Sequence, residues 1–294
     1  MSSKWPYRIA CITAETTELV FALGAGERIV GVSGYCVRPA EARTKPKVAA
    51  FTSVRLDKLR ELKPDLILGF SDLQKDIARD LVAEGFNVFI SNQRTLQETA
   101  DMILAVGRLI GEEKGALKIY ENFWAELERL SVQTGHFKDG RSPGEKSQGN
   151  GISQSPGGLL RNDAGHNRPR IYFEEWDNPM ISGISWVSEL IEFLGGEDVF
   201  KNKRAGKTAK ERVVSSEDVI AADPEVIIAS WCGKKVNFEQ IRSRPGWDKI
   251  RAVQNNHLYE IKSPDILAPG LSLLHGARRM AVILKKVDAL AESR

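Results

Sequence analysis

The chain has 294 residues, 42% hydrophobic and 28% charged, which is a globular composition and enough length for two domains of ordinary size. Its 42 basic and 39 acidic residues leave a net charge of only +3, so the composition excludes a strongly basic nucleic-acid-binding surface. No stretch approaches 18 consecutive apolar residues, so we expect no membrane-spanning segment in this sequence.

The first third of the chain alternates short apolar runs with amphipathic runs. Strands are predicted at 8–14, 29–32, 66–69 and 88–90, with another beginning near Val48, and helices at 18–23, 56–62, 74–84 and 95–110. Strands that alternate with helices form βαβ units, so this pattern predicts an α/β lobe with a mostly parallel sheet. A second long helix is predicted at 112–130.

Residues 133–169 differ in composition from the rest of the chain. They hold eight of the 25 glycines, together with serine, asparagine, proline and alternating charges, and few apolar side chains. Such a segment cannot bury enough apolar surface to offset its chain entropy, so we predict a disordered insertion.

The last part of the chain repeats motifs of the first. Strands are predicted at 170–174 and 226–230, helices at 187–194, 216–221 and 270–291, and a short helix and strand within 250–261. Three motifs recur in the same order at offsets of 160 to 171 residues: Thr17-Glu18-Leu19 as Ser188-Glu189-Leu190, Lys63-Pro64-Asp65 as Asp223-Pro224-Glu225, and 84–90 as 254–261.

This repetition predicts two similar α/β lobes, and two lobes leave a cleft in which a ligand can bind. The predicted organisation is an N-terminal lobe at 1–111, an interlobe helix at 112–132, the insertion at 133–169 and a C-terminal lobe at 170–294.

The ligand of an open α/β sheet lies beyond the carboxyl ends of its strands. The predicted loops at those ends carry Tyr35, Phe51 and Phe70 in the first lobe and Trp176 and Trp231 in the second. Aromatic rings suit a flat, mostly apolar macrocycle such as a corrin or a porphyrin, although each ring could instead cap a strand against a helix. Trp186 is a further candidate for ligand contact, whereas we expect Trp247 to be a packing anchor.

Polar candidates accompany the aromatic ones. Glu15, Tyr35, Glu174 and Glu175 would orient the ligand; of the two adjacent glutamates, strand alternation predicts that one faces the ligand and the other pairs with an arginine. Cys232 joins the ligand-binding set. With Cys36 it could also supply thiolate to an iron or cobalt centre, although buried, unreactive cysteines are the commoner case.

Enzyme motifs are missing from the sequence. It has no glycine-rich phosphate loop, no nucleophile elbow and no convincing pairing of a nucleophile with a base, so we expect a protein that is not an enzyme.

Three cysteines at long spacings form neither a disulfide framework nor a zinc motif. With no signal peptide before residue 8, they favour a cytoplasmic location, or a periplasmic one if an export signal has been removed.

Several elements together resemble the helical-backbone class (class III) of ABC-transporter substrate-binding proteins, which bind cobalamin, ferric siderophores and haem. The elements are Thr17-Glu18-Leu19 through Gly31-Val32, Leu62-Lys63-Pro64-Asp65-Leu66-Ile67, Phe173-Glu174-Glu175-Trp176, Arg244-Pro245-Gly246-Trp247 and Ala268-Pro269-Gly270. The resemblance is closest to the cobalamin-binding branch and covers the chain outside 133–169.

The resemblance implies two lobes joined by one long helix, and capture of a corrinoid or related metal chelate in the interlobe cleft. It further implies no required cofactor and delivery by a monomer to an ABC importer permease. Three departures stand out: the missing export signal, Leu271 in place of a second proline, and no glutamate at 70–76, where Asp72 or Asp76 would have to contact the permease.

Two alternatives stay open, the first because of the missing export signal and the second from another class of function. One is a cytoplasmic protein that handles a corrinoid or another cofactor without transport. The other is a metal-binding protein or enzyme that uses Cys36, Cys232 and Glu175.

Overall fold

The computed structural model describes residues 6–135 and 168–292, which fall into two compact units. The first unit extends to Phe123 and also contains Ala268–Leu273, while the second comprises Trp124–Leu267 and the chain from Leu274 onward. Most of the predicted insertion, residues 136–167, lies outside the described residues, so its disorder stays a prediction.

The first unit is built on a six-stranded sheet. Its strands are β1 Ile9–Cys11, β2 Ile29–Ser33, β3 Lys47–Ala50, β4 Ser53–Val54, β5 Leu66–Phe70 and β6 Val88–Ser91. Its helices are α1 Ala14–Ala22, α2 Leu56–Leu62, α3 Lys75–Ala83 and α4 Leu96–Ile110. The strand order is β4-β3-β2-β1-β5-β6, and every pair is parallel except β3 with β4. The carboxyl ends of β1, β2, β3, β5 and β6 therefore share one edge of the sheet.

The second unit has a smaller sheet of the same kind. The long helix α5, Glu113–Gln133, contains the division between the two units. The strands that follow are β7 Arg170–Asp177, β8 Met180–Ser182, β9 Glu197–Asp198, β10 Val226–Ala229 and β11 Leu258–Glu260. The helices are α6 Ser185–Phe193, α7 Ser216–Ala222, α8 Phe238–Arg242, α9 Arg251–Gln254, α10 Ser263–Ile266 and α11 Leu273–Glu292. The strand order is β11-β10-β7-β8, with β9 beside β7, and all pairs are parallel except β7 with β8.

The repeated proline motif forms the same corner in both units. Helix α2 ends at Lys63 and helix α7 ends at Asp223, each in the left-handed region with φ of 46° and 40°. A proline follows at once, and proline cannot continue a helix because it lacks the N–H and clashes with the preceding turn. The chain therefore turns directly into β5 and β10.

The acidic residue of each corner ties the new strand to the first strand of its unit. Asp65 Oδ2 accepts a hydrogen bond from the backbone N–H of Arg8 at 2.8 Å, and Glu225 Oε2 accepts one from Arg170 at 2.9 Å. The second and third residues of the motif thus have the same function in both units, which explains why the motif repeats.

The apolar side chains of each unit pack around its sheet. The core of the first unit includes Ile12, Val48, Leu59, Ile67 and Leu81, and that of the second includes Tyr172, Val219, Ile227, Ile241 and Trp247. Burial on both faces is what the continuous apolar runs of parallel strands predict. Among the helices in the described part of the chain, none combines the length and apolar character that crossing a bilayer requires.

One strand prediction is wrong in its extent. The sequence analysis ends the strand at Glu174 and places Glu175 and Trp176 in the loop after it, whereas β7 continues to Asp177. The extension pairs antiparallel with β8, with Trp176 opposite Ile181, around the Asn178-Pro179 turn. Trp176 is therefore held in a hairpin rather than in a free loop.

Candidate functional site

The predicted aromatic residues of the first unit lie where the parallel strands end, but they differ in exposure. Tyr35, after β2, is 68% exposed, and Phe51, directly after β3, is partly buried. Phe70, the last residue of β5, is only 5% exposed. Tyr35 thus presents most of its ring at this edge, whereas Phe70 has little surface left for a ligand.

Glu15 lies at the start of α1, directly beyond β1, and is almost completely buried. Its Oε2 atom has no hydrogen-bond partner among the described residues, and burial raises the pKa of this carboxyl group. The backbone of Gly270 covers it: a Cβ atom on Gly270 would lie 3.1 Å from Glu15 Cβ. Glycine at position 270 is therefore what permits this close approach.

Gln93, two residues after β6, approaches the same segment from the other side. Its Nε2 donates to the Pro269 carbonyl at 2.8 Å, which fixes the orientation of the amide, and its Oε1 is buried without a partner. Leaving a buried acceptor unsatisfied costs about 1–3 kcal/mol. This corner of the first unit therefore carries two uncompensated acceptors, of which the sequence analysis singled out only Glu15.

In the second unit, Glu174 is fully buried and lies at the centre of a polar network. Its two oxygens accept from Arg244 at 2.5 and 3.0 Å, from the Tyr172 hydroxyl at 3.1 Å and from Trp231 Nε1 at 2.9 Å. With four donors inside the protein, this carboxylate positions Trp231 and stabilises Arg244. It is not presented to a ligand.

Glu175, the next residue of β7, lies where the pairing of β7 with β8 shifts register, and it has an arginine of its own. Its carboxylate accepts from Arg212 at 2.5 and 3.1 Å, and Arg212 is itself 2% exposed and donates to the Ser182 carbonyl at 2.6 Å. The expectation that only one of the two glutamates pairs with an arginine is therefore wrong, because each has its own.

Trp176 and Trp231 form what we call the two-tryptophan platform, at the carboxyl ends of β7 and β10. Trp176 Nε1 donates to the Asn178 carbonyl at 2.9 Å, so hydrogen bonds hold both indoles in place. The ammonium group of Lys234 lies 4.4 Å from the ring centroid of Trp176 and 4.9 Å from that of Trp231, within the range of cation–π attraction. Trp176 is partly exposed, whereas Trp231 is 2% exposed with Lys234 over its ring.

Asp177 holds that lysine in place. Its Oδ1 lies 2.6 Å from Lys234 Nζ, and its Oδ2 accepts from Gln240 Nε2 at 2.9 Å. Partial burial opposes ionisation, but the hydrogen bonds from Lys234 and Gln240 outweigh it and lower the pKa of Asp177. Sequence analysis identified neither Lys234 nor Asp177.

The remaining tryptophan candidates are packing residues. Trp186, the second residue of α6, is 2% exposed and donates from Nε1 to the carbonyl of Ile266, the last residue of α10, at 3.0 Å, so its ring is buried against that segment. Trp247 is fully buried and donates to Ser216 Oγ at 2.7 Å, which confirms the prediction that it is an anchor.

The two candidate cysteines lie in different surroundings. Cys36 is buried, with Sγ 3.1 Å from Thr17 Oγ1, and burial raises its pKa; the pKa of the exposed Cys232 is raised by partial desolvation and by Glu175. A thiol needs to ionise to bind a metal. Within residues 6–135 and 168–292 no group of three or more His, Cys, Asp and Glu side chains could hold a metal ion, so the metal-centred alternative gains no support.

Comparison with known proteins shows which family and which proteins this chain is similar to. The model of the periplasmic binding protein family matches residues 9–136 and 160–264. A vitamin B12-binding protein of Vibrio vulnificus (strain YJ016) is 24% identical over 264 residues, covering 87% of this chain and 82% of that protein. An uncharacterised ABC transporter substrate-binding lipoprotein, YvrC of Bacillus subtilis (strain 168), is 24% identical over 282 residues, covering 95% and 80%.

The solved structures agree on the fold. The crystal structure of the periplasmic vitamin B12 binding protein BtuF of Vibrio cholerae superposes with a TM-score of 0.70 at 22% identity, covering 96% of this chain and 98% of that one. The predicted α/β fold with two lobes joined by one long helix is confirmed.

The family match also decides the class of function. Members of the family are solute-binding proteins without catalytic activity, so the predictions of a solute-binding role and of no enzymatic activity are confirmed. The family model covers well over half of the chain, on both sides of the predicted insertion. The chain therefore belongs to the periplasmic binding protein family.

Proposed function

We propose that this protein captures a corrinoid, or a closely related metal chelate, with residues at the carboxyl ends of the sheet strands. The observation that carries the proposal is the two-tryptophan platform at the edge of the second sheet, in which Trp176 is the partly exposed indole and Trp231 is the buried one, each fixed by a hydrogen bond from its N–H. The vitamin B12-binding relative from Vibrio vulnificus supports the same class of ligand.

The physical argument rests on preorganisation. A flat macrocycle gains most from large aromatic surfaces whose rotamers are already fixed, because little side-chain entropy is then lost on binding. Tyr35, exposed at the edge of the first sheet, offers a further ring and a hydroxyl group. Phe51 and Cys232 remain candidate contacts, whereas Glu15 is buried beneath Gly270.

We further propose that the protein works as a monomer outside the cytoplasmic membrane and delivers its ligand to an ABC importer permease. The substrate-binding lipoprotein of Bacillus subtilis and the periplasmic protein of Vibrio cholerae support this location over the cytoplasmic one. Asp72 is the candidate permease contact. It is half exposed and is paired with Arg94 at 2.5 Å, so docking would have to compete with that ion pair.

The test is a titration of the purified protein with cyanocobalamin, followed by tryptophan fluorescence and visible absorbance, with haem and a ferric hydroxamate siderophore as comparators. We expect saturable binding that favours the corrinoid. Trp176→Ala should weaken it at least tenfold, since a buried aromatic contact contributes more than about 1.4 kcal/mol, whereas Trp176→Phe should retain most of it. Equal binding by Trp176→Ala and the unchanged protein would contradict the proposed site.

A further inference from the structure

We propose that Lys234 determines ligand specificity, selecting macrocycles that carry an anionic phosphate or carboxylate group over those that carry none. This inference rests on the proposed function and concerns the same platform. It starts from the position of one ammonium group, which lies over the faces of both Trp176 and Trp231. A flat ligand that stacks on the partly exposed ring of Trp176 has to displace that ammonium or cover it.

Displacing the ammonium is unfavourable. The Asp177 side chain is only 6% exposed, and Lys234 is its partner at 2.6 Å. If Lys234 left, the largely buried carboxylate would keep the neutral amide of Gln240 and a backbone hydrogen bond, but it would lose its cationic partner. Removing one partner of a desolvated ion pair leaves an uncompensated charge, so we expect Lys234 to stay.

Covering the ammonium has its own requirement. An ammonium group has three donors, and Asp177 accepts from one of them. The Lys234 side chain is 42% exposed, so water can reach the remaining donors in the free protein. A ligand above the platform would exclude that water, and a desolvated ammonium needs a new acceptor, for which an anionic oxygen is the most favourable.

This requirement bears on which ligands are selected. Cobalamins carry a phosphodiester within a nucleotide arm that cobinamide lacks as a whole, and haem carries two carboxylates that are neutral esters in its dimethyl ester. The corrin pair also differs in the base and the sugar of the arm, so the role of Lys234 is measured by how its substitution changes the preference. Lys234 is thus predicted to favour the anionic member of each pair, while Trp176 contacts the shared ring.

The experiment measures dissociation constants of cyanocobalamin and dicyanocobinamide by calorimetry. Four proteins are compared: the unchanged protein, Lys234→Met, Lys234→Arg and Lys235→Met, the last being a matched control at the exposed neighbouring lysine. We expect the unchanged protein to prefer cyanocobalamin about tenfold, as one charge-assisted hydrogen bond implies. Lys234→Met should reduce the preference to within about twofold, whereas Lys234→Arg and Lys235→Met should keep it. Thermal melting of each variant checks that it is folded.

The outcomes separate the two proposals. Corrinoid binding whose preference is the same in Lys234→Met as in the unchanged protein overturns the role of Lys234 and leaves the proposed function standing. Tighter binding of both corrinoids by Lys234→Met also overturns it, because the lysine would then be obstructing the platform. If neither corrinoid binds, the proposed corrinoid function fails, and haem against its dimethyl ester is the second pair. If Lys234→Met no longer prefers haem to the dimethyl ester, the inference is supported. If its preference equals that of the unchanged protein, or if neither compound binds, the inference is overturned.

Discussion

Replacing Arg244 with methionine should destabilise the second unit strongly, because it would leave Glu174 buried without its counter-ion. The carboxylate has no exposed surface, and the substitution removes both guanidinium donors, leaving only the Tyr172 hydroxyl and Trp231 Nε1. Breaking a buried ion pair from one side costs about 3–5 kcal/mol. The guanidinium also lies 4.5 Å from the ring centroid of Trp247, a cation–π contact that adds about 1 kcal/mol.

The expected loss is therefore about 4–6 kcal/mol, a large fraction of the stability of an ordinary domain. Urea denaturation, followed by tryptophan fluorescence, measures it. Arg242→Met is the control: Arg242 lies two residues away and pairs with Glu239, whose side chain is 82% exposed, so its loss should cost less than about 1 kcal/mol.

A double variant tests the cause. Glu174→Met combined with Arg244→Met removes both charges from the same buried place. It should therefore be more stable than Arg244→Met alone, because an apolar pair leaves no charge without a partner. The reasoning is refuted if Arg244→Met costs no more than Arg242→Met, or if the double variant loses the sum of the two single losses.

Other predictions concern the first unit and the predicted insertion. Glu15→Gln should raise the melting temperature at neutral pH: since burial raises the pKa of Glu15 in the folded protein, the unchanged protein loses stability as the pH rises through that pKa. The difference should shrink below the ordinary pKa range of a glutamate, and a difference independent of pH would contradict this. Gly107→Ala should lower the melting temperature, because the new Cβ would lie 2.2 Å from Ala116 Cβ, and an unchanged value would count against such tight packing. Deleting 135–167 should leave a soluble protein that melts at nearly the same temperature, since the composition predicts disorder; loss of soluble protein would show that the segment is needed.

Local signals in the sequence identify much of the fold. Helix α2 is predicted at 56–62 and found at Leu56–Leu62, because its amphipathic pattern ends at a proline whose steric effect is local. The extent of β7 is predicted wrongly because its last residues, Glu175 to Asp177, are stabilised by pairing with β8. Such pairing depends on a partner strand, and the sequence of residues 175–177 contains no apolar run that would indicate it.

The candidate site is predictable only in part for a related reason. The position of an aromatic residue beyond a strand is visible in the sequence, and this identifies Trp231, whereas Trp176 lies within β7 and not beyond it. Pairing between charges that lie far apart in the chain is not visible in the sequence. Arg244 lies 70 residues from Glu174, and Lys234 lies 57 residues from Asp177. In a chain with 42 basic and 39 acidic residues, nothing in the spacing indicates which charge meets which.

The assignment of Ala268–Leu273 to the first unit has a consequence for how this protein is synthesised. Gln93 holds Pro269, and Gly270 covers Glu15, so the first unit needs a segment that follows most of the second unit in the sequence. While the ribosome is still producing the second unit, the buried carboxyl group of Glu15 has no cover, and the first unit is completed only after residue 273 has left the exit tunnel. A nascent chain stalled before that point carries an unfinished N-terminal unit, although every one of its strands has already been made.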